Sequence, residues 1–369
     1  MIDAPAFDFA ALRRYPDVEA ANLFAHDAAD RLILDEATAA LAEAAPGEVA
    51  VIGDAYGALT LGCGATDVRV FQDSIVSERA LANNAGPSAE YRSLELGREL
   101  LDGARIVLLR LPKSLEELED SAAAISEWAS NDVLVFAGAR VKHMTLSMNE
   151  VLSRHFGSVE ARLARQKARV LVASGPLRAG GPAMRRTFDN ELQLWVCATG
   201  SVFAGARVDI GTRALLAVLD QAAPDAASAA DLGCGTGVLA AELAKRRPGI
   251  AVLATDATAS AVASTRATIE ANGLANVTVT RDDALASQPD ASLDLVLLNP
   301  PFHLASTVHT GAATKLFEAA ARVLAPGGEL WTVYNSHLGY RGELERIVGA
   351  TRQVSRTPKF TVTVSKRVI

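Results

Sequence analysis

The chain has few residues that cross-link proteins or bind metals. Its 369 residues include three cysteines and six histidines. Cys63, Cys197 and Cys234 lie far apart, show no metal-ligand spacing and are odd in number, which argues against both a disulfide framework and a zinc site. We therefore expect a metal-free protein with reduced thiols, as is usual in the cytoplasm.

Long apolar runs and secretory features are also missing. No stretch is long and apolar enough to span a membrane. Residues 1–8 are acidic and lack the basic and apolar regions of a secretory signal. Aromatic residues make up 5% of the chain although hydrophobic residues make up 50%, so its cores are expected to consist of small aliphatic side chains. These features predict a cytoplasmic protein without a membrane partner.

Positive charge is scarce overall. The chain has 36 lysines and arginines against 43 aspartates and glutamates, a formal net charge of −7, whereas general nucleic-acid binders are usually basic. Basic residues concentrate in 154–186, which has one acid, and from 352 onward, which has none. These segments either bind phosphate groups or form a solvated helix face and a linker.

The length and the alternation of segments predict two α/β domains. A chain of 369 residues exceeds one ordinary core. Alanine-rich helical segments alternate with Val/Leu/Ile strands, as doubly wound sheets require. Glycine and proline punctuate 174–182. We predict one domain at 1–175, a linker at 176–189 and a second domain at 190–369.

Three segments of the second domain are predicted to be strands. Residues 293–298 form a buried apolar run. Residues 325–334 suggest a helix stop, a turn and a strand. Residues 360–365 alternate between polar and apolar side chains, which predicts a closing edge strand.

A glycine-rich loop stands between a strand and a helix in the second domain. Residues 231–237 read Asp-Leu-Gly-Cys-Gly-Thr-Gly and precede the helical pattern 238–244. Glycine permits positive φ and close backbone approach, and amides at a helix N-terminus face a ligand. The loop differs from the dinucleotide signature because it opens with an acid that suits the cationic end of a methionine moiety. It is predicted to bind a cofactor through Asp231, Gly233, Cys234, Gly235 and Gly237.

Two further predicted strands also end in acids. Residues 250–256 end in Asp256, which is placed to accept hydrogen bonds from both hydroxyls of a ribose, as in dinucleotide folds. The next strand, within 277–284, leads to Asp283 and Ala284, which are expected at an adenine edge. Three such strand ends in this order are much stronger evidence than one loop.

The buried strand 293–298 is followed by Asn299, Pro300, Pro301, Phe302 and His303. The strand delivers this segment to the carboxyl end of the sheet, where open α/β sheets bind ligands. The side-chain oxygen of Asn299 and the carbonyl of Pro300 are predicted to accept both hydrogens of a planar amine, which directs its lone pair at an electrophile. The alternative is a simple turn after a buried strand.

The other members of the segment have supporting roles in this prediction. Pro300 and Pro301 make the turn rigid because proline fixes φ. Phe302 is expected to stack on the base. His303 either contacts the substrate or caps the following turn.

Together the loop and the Asn-Pro-Pro segment predict methyl transfer from S-adenosylmethionine to nitrogen, with S-adenosylhomocysteine as product. Asn299 to Phe302 would act by positioning and electrostatics, with Asn299 also beside the cofactor. A stacked base is out of reach, so the target must leave its stack.

The segments 202–212, 231–237 and 299–303 resemble the class I methyltransferases, in particular the bacterial ribosomal RNA guanine-N2 methyltransferases of the RsmC and RlmG types. The resemblance implies two tandem Rossmann-like domains and methylation of the N2 amine of a guanine in ribosomal RNA. It also implies that 202–212 lies close to the cofactor. Low overall basicity favours a ribosomal subunit or assembly particle as the form of that RNA.

The first half matches the second at four ordered positions, and the offset between matched positions grows slowly along the chain. Val51, Ala55 and Arg110 stand where the second half has Asp231, Gly235 and Asn299. The chain is therefore interpreted as a duplication with a degenerate first copy, which in the resembling family is thought to assist substrate binding or folding.

Two alternatives remain open. The same Asn-Pro-Pro device would serve N6 methylation of adenine or methylation of a glutamine amide in a translation factor. A non-enzymatic ribosome-assembly factor could instead bind the cofactor only as a structural ligand.

Overall fold

The structure is a computed structural model that describes residues 7–86, 89–200, 202, 205–300 and 310–368. The chain divides into two compact units, Met1–Ala183 and Met184–Ile369. Within the described ranges, no helix combines the length and apolar character that crossing a membrane requires.

The first unit is a seven-stranded sheet with helices on both faces. Its strand order is β3-β2-β1-β4-β5-β7-β6, with β7 antiparallel to β5 and to β6. The strands are β1 (Val49–Ile52), β2 (Val68–Phe71), β3 (Tyr91–Ser93), β4 (Ile106–Arg110), β5 (Leu134–Arg140), β6 (Phe156–Ala161) and β7 (Ala168–Pro176). The α-helices are α1 (Ala28–Leu41), α2 (Ala58–Gly62), α3 (Ile75–Ala85), α4 (Arg98–Leu101), α5 (Leu115–Trp128) and α6 (Leu146–Ser153), and 3-10 turns cover Phe9–Ala11 and Val141–His143.

The second unit combines a hairpin with a second seven-stranded sheet. The hairpin is β8 (Arg185–Asp189) and β9 (Leu194–Ala198). The sheet strands are β10 (Ser228–Leu232), β11 (Ala251–Asp256), β12 (Val277–Arg281), β13 (Leu293–Leu298), β14 (Leu324–Asn335), β15 (Thr351–Arg356) and β16 (Phe360–Lys366). The α-helices are α7 (Ile210–Leu216), α8 (Val238–Arg246), α9 (Ala259–Ala271), α10 (Thr310–Val323) and α11 (Arg341–Ile347), and 3-10 turns cover Leu219–Gln221 and Ser336–Leu338.

The two sheets have the same topology. The second follows the order β12-β11-β10-β13-β14-β16-β15, which repeats the order of the first strand for strand. In each, five parallel strands are extended by an antiparallel pair at one side. The predicted fold class of two tandem α/β units is confirmed, and the repeated order is the pattern that a duplication leaves.

Alternating side chains of the second sheet fill two cores, as the period of two in a strand requires. Leu295, Leu297 and Trp331 pack in the core that contains side chains of α7 and α8. Val296 and Leu298 pack in the core that contains side chains of α10 and α11. Trp331 is fully buried in this packing.

Three predicted details are wrong. The segment 360–365 is not an edge strand, because the polar strand β15 pairs outside it and makes β16 an inner strand. The turn expected at 325–328 lies within β14, where the pairing with β13 shifts register. Part of the segment expected to be linker forms a strand, because β8 pairs with β9.

Candidate functional site

The predicted site residues come together at the carboxyl edge of the second sheet. The loop 233–237 follows β10, Asp256 ends β11, and Asn299 follows β13. These three strands are parallel neighbours, so their carboxyl ends share one edge. This edge flanks the point where the chain reverses its strand order, the usual place for a ligand in open α/β sheets.

The glycine loop has a backbone conformation that favours glycine. Gly233, Gly235 and Gly237 have φ of 75°, 55° and 76°, in the region that L-residues rarely adopt. A Cβ built on Gly233 or Gly235 would meet nothing within 4 Å, so both face open space. A Cβ on Gly237 would lie 2.7 Å from Cγ2 of Thr265 on α9. Two glycines therefore leave room beside the loop, and the third permits close packing behind it.

Asp231 lies behind the loop rather than in the open. It is 1% exposed, and one carboxylate oxygen accepts a hydrogen bond from the backbone N–H of Ala240 at 3.0 Å. Gly237, the N-cap of α8, has no side chain to do this, so Asp231 replaces the missing cap. Burial, aided by the negative charge of Asp256, raises the pKa of Asp231 to about 7.

Asp256 ties the second strand end to the loop. One carboxylate oxygen accepts a hydrogen bond from Gly235 N–H at 3.2 Å, and the other accepts from the backbone and hydroxyl of Thr258. The Asp256 carboxylate therefore lies at the open side of the loop, half-buried.

Cys234 is a buried packing residue. Its Sγ accepts a hydrogen bond from the Thr265 hydroxyl at 3.1 Å. Burial and the nearby carboxylates raise the pKa of the Cys234 thiol well above its usual range. A nucleophilic thiolate is therefore disfavoured here.

The acids at the end of β12 bind other groups than the glycine loop. The Asp282 carboxylate accepts from the backbone and hydroxyl of Ser287, which closes the turn after β12. The Asp283 carboxylate pairs with Lys315 of α10 at 2.6 Å. Ala284 has φ of 54°. Asp282, the acid nearer the end of β12, therefore closes the turn. Asp283 and Ala284 are the next two residues in the chain.

Asn299 is held by two acceptors on α7 and at its N-terminus. Its Nδ2 donates to Oδ2 of Asp209 at 3.2 Å and to Oγ1 of Thr212 at 3.0 Å. A carboxylate only accepts hydrogen bonds, so the amide nitrogen must face Asp209 and the oxygen must face away. Asn299 Oδ1 is buried and accepts no hydrogen bond from the described part of the chain. Leaving a buried acceptor without a hydrogen bond costs about 1–3 kcal/mol of free energy. A ligand that donates a hydrogen bond to Oδ1 would recover this free energy.

The remaining residues of the Asn-Pro-Pro segment are only partly described. Pro300 is buried at the end of β13. Pro301, Phe302 and His303 lie outside the described residues.

Asp209 and Thr212 lie in the segment 202–212, but sequence reasoning did not identify their hydrogen bonds with Asn299. Asp209 caps α7 through Gly211 N–H and Thr212 N–H. Aspartate immediately before a helical segment is an N-cap signal, and that signal was visible. Its contact with Asn299, 90 positions away, was not visible.

At the corresponding edge of the first unit, charged side chains bind other groups of the same unit. Gly57 has the left-handed conformation at the start of α2, as Gly237 has at α8. The buried Asp54 carboxylate caps that helix through Gly57, Leu59 and Thr60. Arg110, at the position of Asn299, pairs with acids near the start of α1, Asp27 at 3.0 Å and Asp30 at 3.2 Å.

Ion pairs neutralise much of the basic segment 154–186. Arg154 pairs with Glu119, and Arg165 pairs with Glu36 and Asp35. Arg162 also faces Glu36, at 3.8 Å. These three arginines thus have acidic partners within the first unit.

Two family models match the chain in succession. Residues 4–176 match the RLMG N-terminal domain, and residues 193–364 match the methyltransferase small domain. Between them they span nearly all of both units.

Full-length relatives and one solved structure are similar to the chain. A protein of Streptomyces avermitilis named ribosomal RNA large subunit methyltransferase G is 33% identical over 372 residues, 95% of each chain. A Pseudomonas fluorescens protein of the same name is 34% identical over 378 residues, 100% of each. The T. thermophilus 16S rRNA N2 methyltransferase RsmC, solved with AdoMet and guanosine, has a TM-score of 0.75 and 20% identity, and the match covers 93% of this chain and 92% of that one. That last likeness concerns the fold.

Proposed function

Because the chain belongs to the ribosomal RNA large subunit methyltransferase G family, we propose that it transfers a methyl group from S-adenosylmethionine to the exocyclic N2 amine of a guanine in large-subunit ribosomal RNA. S-adenosylhomocysteine is the second product. The substrate places the protein in the cytoplasm. The RNA is presented within a large subunit or an assembly precursor, which suits a chain of net charge −7.

The orientation of the Asn299 side-chain amide is the main support for this proposal. Its buried Oδ1 has no donor among the described residues, and its nitrogen is fixed by Asp209 and Thr212. A guanine N2 amine has two hydrogens to donate and a lone pair delocalised into the ring. Accepting one hydrogen at Oδ1 and the other at the Pro300 carbonyl draws the nitrogen toward a tetrahedral shape and directs its lone pair.

The open side of the loop fits the cofactor. Gly233 and Gly235 face open space, and the Asp256 carboxylate lies at the same side, where ribose hydroxyls can donate to it. When bound, S-adenosylmethionine supplies an electrophilic sulfonium methyl group. The loop 233–237 and Asp256 would hold it, Asp283 and Ala284 would meet the adenine edge, and Asp231 would attract its cationic end.

The chain's own groups account for the remaining chemistry. Asn299 would fix the amine, Pro300 would keep the turn rigid, and Phe302 would stack on the flipped base. His303 would either contact the substrate or cap the following turn. Pro301 restricts the same turn. The cationic product loses its proton to water. The first unit supports substrate binding or folding, because its own carboxyl edge is occupied by internal pairs.

Cofactor affinity is expected to rise with pH. Burial raises the pKa of Asp231 to about 7, and only the ionised carboxyl attracts an ammonium group. Affinity for S-adenosylhomocysteine should therefore fall about tenfold as the pH is lowered from about 8 to about 6. Isothermal titration calorimetry measures it. In Asp231→Asn the affinity should be weaker and nearly independent of pH, whereas a wild-type affinity flat across this range would contradict the role of Asp231.

Removing one support of Asn299 is expected to slow catalysis more than it weakens RNA binding. Thr212→Val keeps the shape of the side chain and removes the acceptor that holds Asn299 Nδ2 at 3.0 Å. We expect kcat to fall about tenfold, on the order of one hydrogen bond, with KM for RNA nearly unchanged. Thr212→Ser should restore kcat. An equal loss in the serine and valine variants would point to packing instead.

The experiment that tests the proposed function uses radiolabelled S-adenosylmethionine with three acceptors that lack modification: naked ribosomal RNA, small subunits and large subunits. Label is expected in large-subunit RNA, with assembled particles better than naked RNA. Label confined to small subunits, or to protein, would contradict the proposed substrate. No label with any acceptor would favour the non-enzymatic assembly factor.

A further inference from the structure

A basic turn lies at the same sheet edge as Asn299. β16 runs antiparallel to β14, and its first residue, Phe360, pairs with Asn335, the last residue of β14. β15 ends at Arg356, which pairs with Thr361. The turn 357–359 between β15 and β16 therefore lies at the carboxyl edge. At a strand spacing of about 4.8 Å, β16 and β15 are about 10 Å and about 14 Å across the sheet from β13.

Gly211 lies between the residue after this turn and the site. A Cβ built on Gly211 would lie 3.1 Å from Cε1 of Phe360 and 3.4 Å from Asn299 Oδ1. Phe360, which follows Lys359, and Asn299 are therefore both neighbours of Gly211.

The turn is well anchored. Thr357 N–H donates to the carbonyl of Phe360 at 2.8 Å, and Phe360 N–H donates to the Thr357 hydroxyl at 2.9 Å. Ser336 N–H donates to the carbonyl of Lys359 at 2.9 Å. A turn fixed in this way presents its side chains in a constant position.

The cations of the turn are exposed and uncompensated. Arg356 and Lys359 are exposed, and no acidic side chain in the described part of the chain forms a salt bridge with either. No acid occurs after Glu345 in the sequence. Arg341 and Arg356 both lie near the buried Tyr334. Arg341 forms a salt bridge with Glu345 at 3.2 Å. Arg356 and Lys359 therefore differ from the paired arginines of the first unit.

The exposed charged side chains of the turn suit phosphate. In the described part of the second unit, the exposed large hydrophobic side chains lie outside the turn itself: Met184, Phe188, Ile210 and Val368. Exposed arginine and lysine side chains are typical of contacts to a nucleic-acid backbone.

We propose that Arg356 and Lys359 bind phosphate groups of the ribosomal RNA beside the target guanine and so position the strand at Asn299. This inference rests on the proposed function, since it takes the RNA as substrate. It names a phosphate clamp within the catalytic unit, whereas base recognition belongs to the site itself.

The test compares two double variants of the full-length protein. Arg356→Gln/Lys359→Gln removes the proposed clamp. Arg352→Gln/Lys366→Gln is the matched control, because it removes two exposed cations of β15 and β16. At strand rise, Arg352 lies about 13 Å from Arg356 and Lys366 about 23 Å from Lys359. Binding of unmodified large-subunit ribosomal RNA is measured by filter binding between about 50 and about 200 mM salt.

The clamp variant is expected to bind RNA about tenfold more weakly and to lower the salt slope by about 1.4, the value for two phosphate contacts on a single strand. The control should bind like the wild type, and so should Arg356→Lys/Lys359→Arg, which keeps both charges. Unchanged binding by the clamp variant, or an equal loss in the control, would overturn the proposal.

The outcome separates this proposal from the proposed function. Affinity for S-adenosylhomocysteine should not change in the clamp variant, which shows that the second unit is folded. A wild-type protein that methylates large-subunit RNA while the clamp variant binds it normally would overturn the clamp alone. A wild-type protein that binds RNA but never methylates it would overturn the proposed function.

Discussion

Replacing Asn299 with alanine is expected to abolish methyl transfer while the protein stays folded and binds its cofactor. The change removes Oδ1, the buried acceptor that has no donor among the described residues. Losing a fixed group that acts mainly in the transition state costs on the order of 10²–10³-fold in kcat. Asp209 and Thr212 lose their shared donor, which should lower stability by about 1 kcal/mol.

Single-turnover methylation of ribosomal RNA measures the first effect, and titration with S-adenosylhomocysteine measures cofactor binding. Asn335→Ala is a matched control, because Asn335 ends the neighbouring parallel strand β14 and should retain activity. If Asn299→Ala keeps more than about a tenth of the wild-type rate, the amide does not perform the role assigned to it.

Gly237→Ala is expected to destabilise the second unit strongly. Gly237 has φ of 76°, and an added Cβ would lie 2.7 Å from Cγ2 and 3.0 Å from Oγ1 of Thr265. The left-handed conformation costs about 1–2 kcal/mol for alanine, and the clash adds about 1–3 kcal/mol. The thermal midpoint should fall by about 5–10 °C. Gly237→Ala/Thr265→Ser, which removes the clashing methyl, should recover part of the loss.

Gly235→Ala separates backbone strain from cofactor binding. Its φ of 55° imposes a similar backbone cost, but an added Cβ meets nothing within 4 Å. This variant should lose only the backbone part of the stability, about 1–2 kcal/mol, and much cofactor affinity, since the new methyl group occupies the open side of the loop. Equal thermal midpoints for the two alanine variants would contradict this interpretation of the loop.

The sequence is sufficient to predict those strands whose hydrophobic pattern is local. The mostly apolar run 293–298 coincides with β13, because a strand with five buried apolar positions out of six can be recognised without a distant partner. The edge strand β15 could not be predicted, since its residues Thr-Arg-Gln-Val-Ser-Arg contain one large apolar side chain. Missing β15 is also why β16 was predicted at the edge.

The site was predictable as a set of strand ends but not as a set of contacts. The glycine loop and Asp256 follow from short motifs. The bonds from Asn299 to Asp209 and Thr212 depend on how α7 packs against β14 and β16, which no spacing in the sequence reports. The pairing of Arg165 with Glu36, 129 positions apart, is hidden for the same reason. The roles of Pro301, Phe302 and His303 stay predictions.

Identification of the methylated nucleoside tests directly whether Asn299 presents the N2 amine of guanine. Large subunits lacking modification would be incubated with the protein and labelled S-adenosylmethionine, and their RNA digested to nucleosides and separated. We expect the label in N2-methylguanosine with the wild type and no label with Asn299→Ala. Label in N6-methyladenosine, or in methylated glutamine of a protein, would contradict it.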